Sequence, residues 1–254
     1  MTVRHLTILT GASRGMGRAM AQQLVLEGHT LLGLSRQPDE ALSAAAPDRV
    51  SQWAVDLADP APVAARLRQW LAAIDPHTVA SATLINNAGL SPTIAPLEDC
   101  PPDEIALALR VGLEAPMLLS GAFLAATAAW VASGWHGPRK VLNISSGLGR
   151  RAMASQAPYC AAKAGLDHFS RCCALDQAQQ AHGARVVSLA PGVIATDMQV
   201  QLRQGDPSRF PDRDRFVSLH QSGLLSTPQH AAQSVLAFLA RPDFGDEPVA
   251  DVRG

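Results

Sequence analysis

Leu6-Thr7-Ile8-Leu9-Thr10-Gly11-Ala12-Ser13-Arg14-Gly15-Met16-Gly17 is the stretch whose reading decides the fold. Residues 6–10 are a short apolar run stopped by glycine, and an apolar pattern suited to a helix follows through Glu27. Strand, glycine loop, helix is the context in which backbone amides and a helix N-terminus hold a pyrophosphate. On this reading Gly11, Ser13, Arg14, Gly15, Met16 and Gly17 meet a dinucleotide. The spacing, Gly-x-x-x-Gly-x-Gly, differs from the commoner dinucleotide fingerprint, and alone it also suits a plain tight turn.

Working outward, residues 30–34 read as a second strand ending at Ser35-Arg36. An acid at such a strand end accepts hydrogen bonds from the adenosine ribose of NAD, whereas an arginine suits a 2′-phosphate. Arg36, with Arg14 and Ser35, therefore predicts NADP(H). Asp39 and Glu40 follow Pro38 and fit the first turn of a helix. Residues 50–55 form a third strand closed by Asp56-Leu57, with Asp56 placed to accept from an adenine amino group. Asp59 before Pro60 reads as a helix cap, and a helix follows over 62–74. Residues 82–85 form a fourth strand running into Asn86-Asn87-Ala88-Gly89. There the amides can tie neighbouring strand ends together and Gly89 lets a cofactor approach, although an ordinary turn uses the same residues.

Helices are expected within 101–135, a strand over 139–146, a helix over 158–181 and a sixth strand over 184–189. Tyr159 and Lys163 stand four apart on the long helix, on one face, so a single ligand can meet both. Ser146 precedes Tyr159 by thirteen residues, at the kind of strand end where the catalytic groups of parallel α/β folds gather. A loop serine and a core tyrosine fit the same residues in isolation. After the sixth strand, backbone groups of Pro191, Gly192 and Ile194 can grip a nicotinamide carboxamide, and Thr196 a phosphate or the amide. Residues 198–225 are polar and loop-rich; 196–226 is the expected substrate lid. A last helix over 227–239 and an edge strand over 248–252 complete a single α/β domain, 1–254, without internal repeats.

Composition narrows the classes. With a net charge of -1 and no basic stripe, a nucleic-acid partner is disfavoured. Cys100, Cys160, Cys172 and Cys173 lack metal-ligand spacing, the N-terminus does not read as a signal peptide, and a cytoplasmic location is expected. Residues 115–135 carry no charge and are long enough to span a bilayer. Their alanine content and their Ser120, Thr127 and Ser133 favour instead a helix buried on nearly all sides, partly by a second subunit.

Taken together, Thr10-Gly11-x-x-x-Gly15-x-Gly17, Asp56, Asn86-Asn87-Ala88-Gly89, Ser146, Tyr159-x-x-x-Lys163 and Pro191-Gly192 with Thr196 resemble the short-chain dehydrogenase/reductase family from end to end. Asn143-Ile144-Ser145-Ser146, Thr196-Asp197-Met198-Gln199 and Val249-Ala250-Asp251-Val252 look most like its sepiapterin reductase and benzil reductase branch. The resemblance implies a Rossmann-type, doubly wound, seven-stranded, mostly parallel sheet with helices on both faces. It implies NADPH-dependent reduction of a ketone or diketone, with Tyr159 as proton donor and Ser146 orienting the carbonyl. Lys163 would hold the nicotinamide ribose and lower the phenol's pKa from about 10. It also implies a homodimer or homotetramer, in which a partner covers Phe123 and Trp130, and the branch would give Asp251 a substrate contact, against which stands a plain solvated carboxylate. Leu90, Leu148, Met153, Met198 and Leu202 are candidates for an apolar pocket or equally for the core, and Arg150 and Arg151 for a solvated loop rather than for contacts to an anionic substrate. One departure stands out: the family usually has a water-holding asparagine where this chain has Val111-Gly112-Leu113. Water filling that gap is the expectation. The alternatives are a non-catalytic NADP-binding sensor or scaffold, and an alcohol dehydrogenase running in the oxidative direction.

Overall fold

The computed structural model describes residues 4–253. Strands β1 (Arg4–Thr10), β2 (Thr30–Ser35), β3 (Val50–Ala54), β4 (Val79–Asn86), β5 (Arg139–Ile144), β6 (Arg185–Ala190) and β7 (Val249–Asp251) form one sheet. Their order is β3-β2-β1-β4-β5-β6-β7 and every pairing is parallel, where the sequence suggested mostly parallel. Alternation along the strands feeds two cores. Leu6 and Ile8 of β1 join Leu32, Leu84 and Val141 on one face, while Leu9 joins Leu31, Ile85, Leu142 and Val187 on the other.

The helices are α1 (Gly15–Leu26), α2 (Glu40–Ala45), α3 (Pro60–Ala72), α4 (Pro102–Leu109), α5 (Ala115–Ala132), α6 (Ala157–Ala178), α7 (Asp197–Gln204), α8 (Arg213–Gln221) and α9 (Pro228–Ala240). Helices α1, α2 and α9 cover the second face; α3, α5 and α6 cover the first. Asp39 caps α2, accepting from the Ala41 N–H at 3.2 Å, and Thr227 caps α9 through the His230 N–H at 3.1 Å. Asp59 stands at the N-cap of α3 without a side-chain bond, and Pro62, at the third position of the helix, removes one of the amides it would have served.

Two expectations are corrected and one feature is added. The segment 198–225 is not loop-rich: α7 and α8 enclose a small core of Leu202, Phe210 and Phe216, against which Ile94, Met153, Met198 and Leu219 pack. The uncharged helix is only half covered. Its inner face (Leu119, Phe123, Ala126, Trp130) is buried by this chain itself, so Phe123 and Trp130 need no partner, while Met117 and Leu118 are 44% and 37% exposed. Finally, α4 and α5 are joined by a π-helical turn, Arg110–Glu114, centred on Gly112.

Candidate active site

The carboxyl ends of β1, β4 and β5 are locked to one another by buried amides. Asn86 Nδ2 donates to Asn143 Oδ1 at 2.8 Å and to Ser120 Oγ at 3.2 Å, and Asn143 Nδ2 donates to Ser170 Oγ on α6 at 2.9 Å. Asn87 Nδ2 donates to the Thr10 carbonyl at 3.0 Å, and Thr10 Oγ1 accepts from the N–H groups of Asn87 and Ala88, both at 2.9 Å. The expectation that these asparagines tie strand ends is met. Ser170 was not singled out from sequence, and Thr10 and Ser120 were noted without these partners, because a threonine or serine inside an apolar run carries no mark of its partner.

Onto this frame the chain brings Ser146, Tyr159 and Lys163. Ser146 follows β5 and its Oγ accepts from the Leu148 N–H at 3.1 Å, leaving its own proton to donate. Lys163 Nζ donates to the Ile144 carbonyl at 2.8 Å and lies 5.8 Å from the Tyr159 ring centroid. Burial pulls the Lys163 ammonium down to about 8, partly countered by Asp167. Burial likewise pushes the Tyr159 phenol up to about 12, outweighing the hydrogen bond from Ser146 that pulls it down. The resemblance implies a phenol lowered by the lysine; in this site desolvation raises it.

The glycine loop has the shape a pyrophosphate needs. Gly11 takes φ +69°, and a Cβ at Gly17 would lie 2.0 Å from the Gly11 carbonyl oxygen, so neither position admits a side chain. A Cβ at Gly15 would meet only Thr196 Cγ2, at 3.9 Å, and one at Gly89 only Lys163 Nζ, at 3.9 Å. Those two positions face open space, bounded by the loops after β1, β4 and β6 and by α6. Ser13 lies half-buried in the loop, while the Met16 and Leu57 side chains are buried in the cores, which leaves only their backbone groups for a ligand. Asp56 Oδ1 accepts from the Ala58 N–H at 2.9 Å, a side-chain turn that leaves its other oxygen free.

At the end of β2, Ser35 is buried and donates to the Gln37 carbonyl at 3.2 Å, and Arg36 is exposed and makes no ion pair among the described residues. The nearest acid in sequence, Asp39, is already taken by Arg18 Nε at 2.6 Å and by its capping bond. Arg14 pairs with Asp197 of α7 at 3.0 Å, with both side chains largely exposed.

After β6, Pro191 is buried and Ile194 packs on the second core. Ile194 bridges Ser226, the Ala195 N–H donates to Ser226 O at 2.9 Å, and the Ser226 N–H donates to Val193 O at 2.9 Å. Both ends of the 196–226 segment are thus pinned together. Of the proposed apolar lining, Leu202, Met153 and Met198 are used by the core of that segment and Leu90 packs on the first core, which leaves Leu148. Arg150 is not a free loop residue: it donates to the Ala250 carbonyl at 3.2 Å and lies 3.5 Å from Asp167 Oδ2. Asp251 is not solvated either, since Arg253 grips both its oxygens at 2.8 and 2.7 Å. At Gly112 a Cβ would sit 3.0 Å from Ala162 Cβ, so the π turn stands close against α6 next to Lys163.

A parallel sheet with a glycine-loop phosphate cradle at its carboxyl edge, facing a serine, a tyrosine and a lysine, defines the nicotinamide-dependent oxidoreductase class. The chain belongs to the short-chain dehydrogenase family, whose model, described as "short chain dehydrogenase", matches residues 5–207. It is 31% identical over 240 residues to a "Benzil reductase ((S)-benzoin forming)" of Bacillus cereus, covering 93% of this chain and 94% of that one. It is 31% identical over 212 residues to a sepiapterin reductase of Xenopus laevis, covering 76% and 74%. A solved short-chain dehydrogenase/reductase from Burkholderia vietnamiensis superposes with a TM-score of 0.65 at 32% identity, over 100% of this chain and 99% of that one.

Proposed function

We propose that this protein is an NADPH-dependent carbonyl reductase acting on an apolar ketone or diketone. The observation that carries the reading is Tyr159 and Lys163 one turn apart on α6, beside Ser146 and across from the glycine cradle. The dinucleotide, when bound, supplies the hydride. Gly11, Ser13, Gly15, Gly17, Asn87, Ala88 and Gly89 would hold it, with Pro191, Gly192, Ile194 and Thr196 at its nicotinamide end and Asp56 at the adenine. Ser146 Oγ donates to the carbonyl oxygen and polarises it. Tyr159 Oη gives its proton to that oxygen as negative charge develops there. Lys163 uses one donor on Ile144 and keeps two for the ribose and the phenol. A phenol held at about 12 is protonated at neutral pH, the form a proton donor needs.

NADP preference is supported by Arg36, exposed at the end of β2 next to Ser35 and without an ion pair among the described residues, with Arg14 exposed in the glycine loop and Asp39 occupied elsewhere. The diketone choice is supported by the similarity to benzil reductase. The lid role of 196–226 is supported by its pinned ends and separate core. The exposed face of α5, with Met117, Leu118, Gly121 and Ala125, supports a homodimer or homotetramer, and four free cysteines support a cytoplasmic location. The test is NADPH oxidation by the purified protein, with NADH in parallel, against benzil, other diketones, sepiapterin, simple ketones and quinones. Turnover preferring NADPH is expected, and silence across the panel despite NADPH binding would overturn the reading in favour of a sensor.

A further inference from the structure

One turn beyond Lys163, Asp167 is among the most deeply buried charged residues of the chain, at 1% exposure. Its Oδ1 accepts from Ser145 Oγ and from Ser188 Oγ, both at 2.6 Å, which joins α6 to the ends of β5 and β6. Ser145 directly precedes Ser146. Asp167 Oδ2 is buried without a hydrogen bond; the nearest cation, Arg150 Nε, stops at 3.5 Å. The turn Gly147–Gly149 is packed onto this carboxylate: a Cβ at Gly149 would lie 2.8 Å from Asp167 Oδ2 and 2.9 Å from the Lys163 carbonyl oxygen. A buried carboxylate left half unpaired is costly, and packing alone would be served as well by an apolar side chain.

We propose that Asp167 is a positioning residue for the reaction: through Ser145 it fixes where Ser146 stands, and its negative charge holds the Lys163 ammonium in its charged form, with Arg150 as the outer cation that moderates it. The direction of its effect on Lys163, upward against desolvation, agrees with this. Facing Asp167 are Ser145, Ser188, Arg150 and Lys163; facing Lys163 are also Tyr159 and the Ile144 carbonyl. The other charges near α6 sit at its margins. Arg110, Asp103, Glu114, His168, Arg171, Asp176 and Arg185 are exposed, Glu104 accepts from the Thr93 N–H at 2.7 Å, and Asp251 is held by Arg253.

The effect on rate rests on the reductase reading; the effect on Lys163 does not. Lys140 and Lys163 are the only lysines in the chain, so lysine labelled with carbon-13 gives an NMR titration of Lys163 with Lys140 as internal reference and K140R as the assignment. The expected result is that D167N moves the Lys163 titration to lower pH, R150Q moves it to higher pH, and Lys140 stays put in both. A purely structural role would not produce opposite shifts. In parallel, the ratio of wild-type to D167N carbonyl-reduction rate should grow as pH rises toward about 8. Lys163 unmoved in R150Q overturns the proposal, whether or not D167N folds. An inactive wild type with the two opposite shifts would overturn the reductase reading, and with it the effect on rate, while the control of Lys163 by Asp167 and Arg150 would stand.

Discussion

The two ends of the cofactor cleft are built differently. At the nicotinamide end, Ser146, Tyr159 and Lys163 stand on a frame of buried hydrogen bonds running from Thr10 and Asn87 through Asn86 and Asn143 to Ser170. At the adenosine end, Arg36 and Arg14 are exposed, with a single solvent-facing ion pair to Asp197 between them and the lid. The three side chains are thereby held by buried hydrogen bonds, whereas the proposed selectivity for NADP would rest on exposed charges that a single substitution can alter.

Four results would break or sharpen this contrast. Y159F removes the proton donor and should cut carbonyl reduction by about 10²–10⁴-fold while leaving NADPH affinity near wild type; a rate within a factor of a few of wild type would remove the reacting end from Tyr159. R36Q should lower the preference for NADPH over NADH by about 10–100-fold, the worth of one charge-assisted phosphate contact, with little change in turnover at saturating cofactor. G112N, which would restore the asparagine usual in the family, should instead destabilise by about 1–3 kcal/mol, since its Cβ meets Ala162 at 3.0 Å. Thermal melting reads that cost, and a melting point unchanged or raised would show that the π turn has slack. D197N should be the mildest, changing the NADPH Kd by about fivefold or less, because a solvent-exposed ion pair contributes little. A larger effect would mean that the adenosine end is more tightly organised than its exposure suggests.

The ends also part in their response to pH. Lys163 carries its proton below about 8 and loses it above, so kcat/KM for reduction should hold on the acid side and fall by about tenfold per unit beyond that point. Nothing proposed for the adenosine end should impose such a limb, because arginine guanidinium groups as a class do not lose their proton in proteins.

Much of the framework is readable from the chain because parallel strands buried on both faces are short apolar runs, and here they end in glycine, asparagine or serine, as in Thr10-Gly11 and Asn86-Asn87. The Tyr159 and Lys163 pair is readable because helical spacing is local. What escaped is what depends on distant partners. Helices α7 and α8 were taken for loop because Gly205-Asp206-Pro207 interrupts them and their few apolar residues gain a core only from Ile94 and Met153, remote in sequence. Asp167 was passed over because Ser145 and Ser188 lie far along the chain on either side. The upward shift of the Tyr159 phenol escaped because spacing shows the lysine beside it but not how dry the site is.

The parallel bridge between Ile194 and Ser226 has one more consequence. It closes residues 196–226 into a loop that leaves and returns at one place beyond β6, tied elsewhere to the chain by Arg14, Asp99 and Ser155 and by Ile94 and Met153 in its core. A segment of different length that kept Thr196 and replaced those ties is expected to leave the seven strands in place. A lineage could in this way exchange what it admits to the cleft without rebuilding the machinery beneath, and an engineer could graft there first.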